Sequence, residues 1–354
     1  MAPTIVIAAG GTAGHVVPAL AVADALRAEA GAHVVFVGGE RAERTLVPEA
    51  GYELRPIAVE GLSRSNPLKA ARGLLRAAAA LGTARRILRD VRPDAVLGGG
   101  GYVAGPVGAA AVAGRIPLVL TEADSHLGLT NRLLAPFARR VCLAFPLAGR
   151  EGERYRVTGR PVPAVQADRA AARERFGLPA EATCVLVFGG SLGARSINEA
   201  AVAALRDRPY RVLHACGVRD HDALRARLGD PPPPGYDLRS YITPFGDALA
   251  AADLCVARSG GSVFEIAAHG LPAILVPYPH AAADHQTSNA RWMTDAGAAV
   301  VVRDDELTPE RLAREVDALL ADRGRLAAMA AASAALARPD AARDIAREVL
   351  GAVA

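Results

Sequence analysis

Four glycine-rich turns, each expected between a short β-rich run and a helix, hold most of the residues in this 354-residue chain that could do chemistry. They read TIVIAAGGTAGH at 4–15, DAVLGGGGYVAGP at 94–106, CVLVFGGSLGARSIN at 184–198 and DLCVARSGGSVFEI at 253–266. Such a turn leaves backbone N–H groups at a helix start, where the dipole favours an anion. A single glycine turn can equally serve only to reverse the chain tightly; four in matched positions favour the anion. The turns at 10–14 and 189–193 lack GxGxxG, and Lys69 is the only lysine, so neither a dinucleotide fingerprint nor a P-loop is present.

His15 follows the first turn at the start of a helix, where it is either a general base or an ordinary helix-start residue. Glu122 and Asp124 follow the run Leu118–Leu120 and either face a reaction or cap the next helix. Arg258 precedes Ser259-Gly260-Gly261, which suits a diphosphate, and Glu265 stands where a carboxylate can accept two ribose hydroxyl hydrogens. The alternative is a surface arginine and a helix-start acid. His280, Asp284 and His285 could be imagined as metal ligands. Arginine and helix ends can neutralise a diphosphate without an ion, so no metal and no other cofactor is expected.

The elements that must position these residues alternate strand and helix, the pattern of parallel sheets. Strands are expected at Thr4–Ala8, His33–Val37, Asp94–Leu97, Leu118–Leu120, Cys184–Phe188, Arg211–His214, Asp253–Val256 and Ala273–Val276. The repeated plan predicts an α/β chain of two doubly wound, Rossmann-like domains, 1–160 and 161–339, facing across a deep cleft. The chain after Pro309 reads as helix broken only at Arg338–Pro339, with the last helix, within 340–354, packing back on the first domain. Cys142, Cys184, Cys216 and Cys255 lie too far apart for a zinc cluster or a disulfide scaffold. The apolar stretches before Asp24 and between Asp94 and Arg115 are too rich in glycine for a signal peptide or a spanning helix.

The net charge of +4 divides unevenly, with +7 in residues 1–160 and −3 in the rest. Within 61–92, Leu62, Leu68, Leu74, Leu75 and Leu81 accompany Arg64, Lys69, Arg72, Arg76, Arg85, Arg86, Arg89 and Arg92, as on an interfacial element facing an anionic membrane, or on a solvated basic face. Nucleic acid is not an expected partner, because aromatic residues are only 4% and no recognition motif accompanies the charges.

The segments AAGGTAGHVVPALAVADAL at 8–26, GGGGYVAGP at 98–106, LTEADSHLGLTNRLLAP at 120–136, FGGSLGARSIN at 188–198, ARSGGSVFEIAAHGLPAILVPYP at 257–279 and DHQTSNA at 284–290 together resemble the MurG family over essentially the full length. One departure is Thr121-Glu122-Ala123-Asp124, where the family usually reads His-Glu-x-Asn. The resemblance implies a GT-B fold and an inverting, metal-independent glycosyltransferase of peptidoglycan synthesis. It would move N-acetylglucosamine from UDP-GlcNAc to the 4-hydroxyl of MurNAc in undecaprenyl-pyrophosphoryl-MurNAc-pentapeptide, converting lipid I to lipid II. The first domain would bind the lipid-linked acceptor and, through 61–92, the anionic cytoplasmic face of the bacterial membrane as a peripheral protein.

The second domain would bind UDP-GlcNAc. The resemblance places His15 and Glu122 in catalysis, and Thr12, Gly14, Gly100, Gly101, Tyr102 and Asn131 at the acceptor. It sends Ser191 and Arg258 to the diphosphate with Ser259 and Gly260 beside them, Ile242 and Phe245 to uracil, Glu265 to ribose, and His285 and Gln286 to sugar or diphosphate. Asn198 would lie at the cleft. A same-fold glycosyltransferase with another acceptor and a UDP-GlcNAc 2-epimerase are the alternatives; the oligomeric state is left open.

Overall fold

The computed structural model of the chain describes residues 2–59, 67–163, 168–190, 193–281 and 284–353, with 67–77 described by backbone alone. The chain divides into two compact units, Met1–Pro163 with Arg338–Ala354, and Ala164–Ala337.

The first unit contains β1 (Thr4–Ala8), α1 (Ala13–Ala30), β2 (His33–Gly38), α2 (Ala42–Glu49), β3 (Glu53–Pro56), α3 (Pro67–Val91), β4 (Ala95–Gly98), α4 (Ala104–Ala113), β5 (Leu118–Glu122), α5 (Leu129–Leu134), β6 (Arg140–Leu143) and β7 (Tyr155–Val157). The seven strands are parallel, in the order β3-β2-β1-β4-β5-β6-β7. Helices cover both faces, so the central strands are apolar throughout; Ile5, Val6, Ile7 and Ala8 are all fully buried. On one face α1 packs Val16 and Leu26 into a core with Ile345 and Val349. On the other, Ala84 and Leu88 of α3, Val107 of α4 and Leu134 of α5 share a second core. The order reverses between β1 and β4, and their exit turns flank the crevice where ligands of such sheets bind.

The second unit contains α6 (Arg169–Arg175), β8 (Cys184–Phe188), α7 (Arg195–Leu205), β9 (Arg211–Ala215), α8 (Val218–Leu228), β10 (Tyr236–Arg239), α9 (Phe245–Ala251), β11 (Leu254–Ala257), α10 (Val263–Ala268), β12 (Ala273–Leu275), α11 (His285–Asp295), β13 (Ala299–Val301), α12 (Pro309–Ala321) and α13 (Arg323–Ala335). Its sheet is parallel in the order β10-β9-β8-β11-β12-β13, with the same reversal, here between β8 and β11.

The last helix, α14 (Ala341–Val353), lies against α1 in the first unit, with Glu348 accepting from Arg140 at 2.9 Å and Glu29 3.4 Å from Arg343. The stretch after Pro309 is not broken only at Arg338–Pro339. Asp322 ends α12 and caps α13 by accepting the Arg325 N–H at 2.9 Å. An aspartate whose side chain takes the N–H three residues on starts a new helix. Among the described residues no helix is long and apolar enough to cross a membrane.

Candidate active site

In the first unit the turn after β1 leads into α1 with Thr12 as N-cap. Thr12 does not cap the helix with its side chain, and Thr12, Ala13 and Gly14 are exposed, so the helix start keeps open donors. The Thr12 hydroxyl lies 3.3 Å from His15 Nδ1. With Nδ1–H given to that oxygen, the Nε2 lone pair is free to take a proton. Pro18 sits one turn further along and has no N–H, so the Gly14 carbonyl lacks its ordinary intrahelical donor. Arg160 fills the gap, donating from Nη2 to that carbonyl at 2.6 Å.

The same arginine acts on His15. Burial, then the positive charge of Arg160, lower the imidazole pKa below its ordinary value, against a smaller raising effect from Asp124. The ring is therefore neutral and able to accept a proton near pH 7. It lies against the β4 turn, where a side chain at Gly100 would come within 2.8 Å of His15 Cδ2. Gly101 is tighter still: its φ is +76°, and a Cβ there would lie 2.1 Å from the Gly10 carbonyl oxygen. These two glycines let the β1 and β4 turns meet backbone to backbone.

One pocket is lined by His15, Arg160, Thr121, Glu122 and Pro18, with Ile345 from α14. Glu122 is buried, and burial raises its pKa before its hydrogen bonds offset part of the shift. Oε2 accepts from Gly128 N–H at 2.8 Å and Asn131 Nδ2 at 2.9 Å; Oε1 accepts from Asp124 N–H at 3.1 Å. Asn131 also donates to the Thr121 carbonyl at 2.8 Å. Both oxygens thus hold the 122–131 loop, which buried Asn131 braces. Glu122 nonetheless lines the same pocket as His15. Tyr102, half-buried, donates its hydroxyl to Glu43 at 3.2 Å beneath the guanidinium of Arg41.

In the second unit Arg258 is not a surface side chain but is 9% exposed. Its Nη1 donates to the carbonyls of Val276 and Pro277, both at 3.1 Å, and stands 2.6 Å from Asp304 Oδ1. Ser259 and Gln286 are brought together: the Ser259 hydroxyl donates to the Gln286 carbonyl at 2.8 Å. Gln286 Oε1 in turn accepts the Tyr278 N–H at 3.0 Å, and Asn289 donates to the Ser259 carbonyl at 3.0 Å. Gly260 faces the Gln286 amide, and half-buried His285 opens α11 beside it.

Glu265 is half-buried in the first turn of α10. Phe245 opens α9 with its ring edge-on to Phe188, centroids 4.9 Å apart, while Ile242 is buried in the loop after β10. Ser191 lies outside the described residues.

Asn198 lies in the first turn of α7. It is fully buried, and its amide donates to the Cys216 carbonyl at 2.8 Å and to Asp220 at 3.1 Å. Its oxygen meets His214 Nε2 at 3.1 Å, and His214 Nδ1 meets the Tyr236 hydroxyl at 2.9 Å. Asn198 packs behind the β8 turn, where a side chain at Gly193 would be 3.4 Å from its amide. It therefore supports that turn from within. Among the described residues no three His, Cys, Asp or Glu side chains are grouped as a metal site.

Sequence reading missed Glu43 and Asp304, both carboxylates outside the glycine segments. It also missed an exposed apolar row, Leu129, Leu133 and Phe137, on α5 and the turn that follows. The i, i+4, i+8 spacing was the available signal.

Two family models match the chain: the glycosyltransferase family 28 N-terminal domain over residues 5–143 and its C-terminal domain over 184–345. A Moorella thermoacetica protein, the UDP-N-acetylglucosamine--N-acetylmuramyl-(pentapeptide) pyrophosphoryl-undecaprenol N-acetylglucosamine transferase, is 44% identical, with 99% of each chain covered. The crystal structure of Acinetobacter baumannii MurG is 31% identical, superposes with a TM-score of 0.79, and covers 99% of this chain and 100% of that one. A UDP-GlcNAc 2-epimerase from Neisseria meningitidis reaches a TM-score of 0.70 at 12% identity, with 98% and 100% covered, a likeness of fold alone.

Proposed function

Because the chain belongs to glycosyltransferase family 28 and has the two Rossmann-like domains of a GT-B fold, we propose that it carries out the reaction its relatives are named for. It transfers N-acetylglucosamine from UDP-GlcNAc to the MurNAc 4-hydroxyl of the undecaprenyl-pyrophosphoryl-linked MurNAc-pentapeptide, turning lipid I into lipid II in peptidoglycan synthesis. The observation that carries this reading is 44% identity over 99% of both chains to a transferase so named.

His15 takes the proton of the 4-hydroxyl at Nε2; the oxygen attacks the anomeric carbon, and the bond to the diphosphate breaks with its electron pair leaving on UDP. The site favours this role because the imidazole is neutral and Thr12 holds the opposite nitrogen. Thr12, Gly14, Gly100, Gly101 and Tyr102 border the acceptor. Glu122 and Asn131 act on it through the 122–131 loop. Arg258, Ser191 and the N–H groups at Ser259 and Gly260 meet the diphosphate. Glu265 takes the ribose, Ile242 and Phe245 the uracil, and His285 with Gln286 the sugar side. One well-aimed donor is worth about 2.7–4 kcal/mol to such a transition state, so the leaving charge is met without a metal or other cofactor.

The chain works as a peripheral protein on the cytoplasmic face of the membrane. Exposed Arg85, Arg86 and Arg89 on α3 support an anionic surface as partner, as do Leu129, Leu133 and Phe137 with Arg132 and Arg139. The helices α3 and α5 pack into the same core beneath one face of the sheet.

The test is mass spectrometry of a short-chain lipid I analogue after incubation with UDP-GlcNAc. A product heavier by one N-acetylhexosamine is expected. Free N-acetylmannosamine formed without acceptor would instead establish the epimerase.

A further inference from the structure

The β1 turn, the β2 exit and Tyr102 of the β4 turn converge on one side chain, Glu43, in the first turn of α2. Glu43 is fully buried. Its Oε1 accepts from Gly39 N–H at 2.8 Å and from the Tyr102 hydroxyl at 3.2 Å; its Oε2 accepts from Gly11 N–H at 2.9 Å. The slot is built for it. A Cβ at Gly10 would be 2.7 Å from Oε1, one at Gly38 would be 2.8 Å from Cγ, and one at Gly39 would be 2.5 Å from the Tyr102 hydroxyl. Burial opposes the charge, but its own backbone bond and the donors from Gly11, Gly39 and Tyr102 outweigh it and hold the carboxyl below its ordinary pKa. The side chain is thus an anion at neutral pH.

Resting on the reading of the first unit as the acceptor side, we propose that Glu43 is the positioning residue of the acceptor subsite: its carboxylate takes the Gly11 N–H for itself and ties the β1 turn to Tyr102. The turn therefore does not offer its Gly11 donor to the substrate's diphosphate. A protein carboxylate sits behind the turn as a fixed anion, and the acceptor is met further along, at the exposed Thr12–Gly14 start of α1. Removing the clamp loosens the acceptor's seat without touching the second unit's turns.

The discriminating variant is Glu43→Gln in the full chain. Its oxygen can keep Gly39 and Tyr102, leaving an amide –NH2 opposed to the Gly11 N–H, so one bond is replaced by a donor–donor clash. With the lipid I analogue and UDP-GlcNAc varied in turn, KM for the acceptor is expected to rise about tenfold, the scale of one lost charge-assisted hydrogen bond. KM for UDP-GlcNAc stays within about twofold on the same reasoning. Tyr102→Phe shifts the acceptor KM the same way by less.

Equal changes in both KM values, or an unchanged acceptor KM in a folded variant, overturn the proposal. Amide hydrogen exchange at residues 10–14 separates this proposal from the functional reading. If wild-type chain shows no transfer to the acceptor, faster exchange at Gly11 in Glu43→Gln still upholds the clamp, and unchanged exchange refutes it.

Discussion

Arg258 and Asp304 form a closed triangle with Ser196: Arg258 Nη1 stands 2.6 Å from Asp304 Oδ1, Arg258 Nη2 donates to Ser196 Oγ at 2.9 Å, and Ser196 donates to the same Asp304 oxygen at 2.7 Å. Together with the Val276 and Pro277 carbonyls, this fixes the guanidinium before any ligand arrives. Removing one partner of a buried pair costs about 3–5 kcal/mol; here the Asp304 side chain is 24% exposed, and water softens the loss to about 1–3 kcal/mol. Asp304→Ala is expected to lower unfolding free energy by that amount in urea. The double variant with Arg258→Ala should be less damaging than the sum of the two; strict additivity would show the pair uncoupled.

Turnover should report His15 directly. His15→Ala is expected to lower kcat about 10²–10⁴-fold, the usual range for a positioned base. In the wild type, activity falls as acid protonates the imidazole, at a pH below the ordinary 6.5 because burial and Arg160 favour the neutral ring. Arg160→Ala removes a charge that disfavours imidazolium, so the acidic limb moves up in pH. Asp124→Asn removes the opposing charge and moves it down. The pH profile of kcat/KM measures both, and a limb fixed in all three proteins would exclude His15 as its source.

Acid stability depends on His214. Its burial holds the imidazole pKa near about 3, against 6.5 for the ordinary group. Below 6.5 the unfolded chain gains a proton that the native chain refuses, so stability falls by about 1.4 kcal/mol per pH unit until the native ring also titrates. Urea unfolding at pH 7 and pH 5 should show this slope. His214→Gln, which does not titrate, should flatten it by that one-proton contribution.

Backbone contact between the β1 and β4 turns makes Gly101→Ala severe. The added methyl meets the Gly10 carbonyl at 2.1 Å, and the φ of +76° disfavours any side chain. A loss of more than about 2 kcal/mol in unfolding free energy is expected, from clash and strain together. At Gly82, where an added Cβ meets nothing within 4 Å, alanine should be neutral or stabilising.

Membrane attachment has its own variants. Leu133→Glu and Phe137→Glu place charges at positions 63% and 64% exposed, so folding should survive. Flotation with anionic vesicles should fall in each, whereas Arg132→Ala should cost about 1 kcal/mol of binding. Flotation indifferent to anionic lipid content would remove the surface from the account.

The doubly wound plan was readable because buried parallel strands are apolar on both faces; all eight expected strands exist, shifted by two residues or fewer at any end. The strands that escaped include β3, β7, β10 and β13, the four edges of the two sheets, where one side lacks a neighbour and polar residues such as Glu53 and Arg55 are tolerated. The four glycine turns were legible in their spacing, and each stands between a strand and a helix as expected. Part of what the turns lean on was not visible, because Glu43 and Asp304 come from other elements and approach only through the fold. Nor did the sequence show that Glu122 holds the 122–131 loop, which it does by three hydrogen bonds.

The most direct test is UDP release from UDP-GlcNAc with and without the short-chain lipid I analogue, in the presence of a chelator, followed by the configuration of the new sugar linkage. Release is expected to depend on the acceptor, to persist under chelation and to yield a β-linked disaccharide. Release indifferent to the acceptor, or abolished by chelation and restored by a divalent ion, would contradict it.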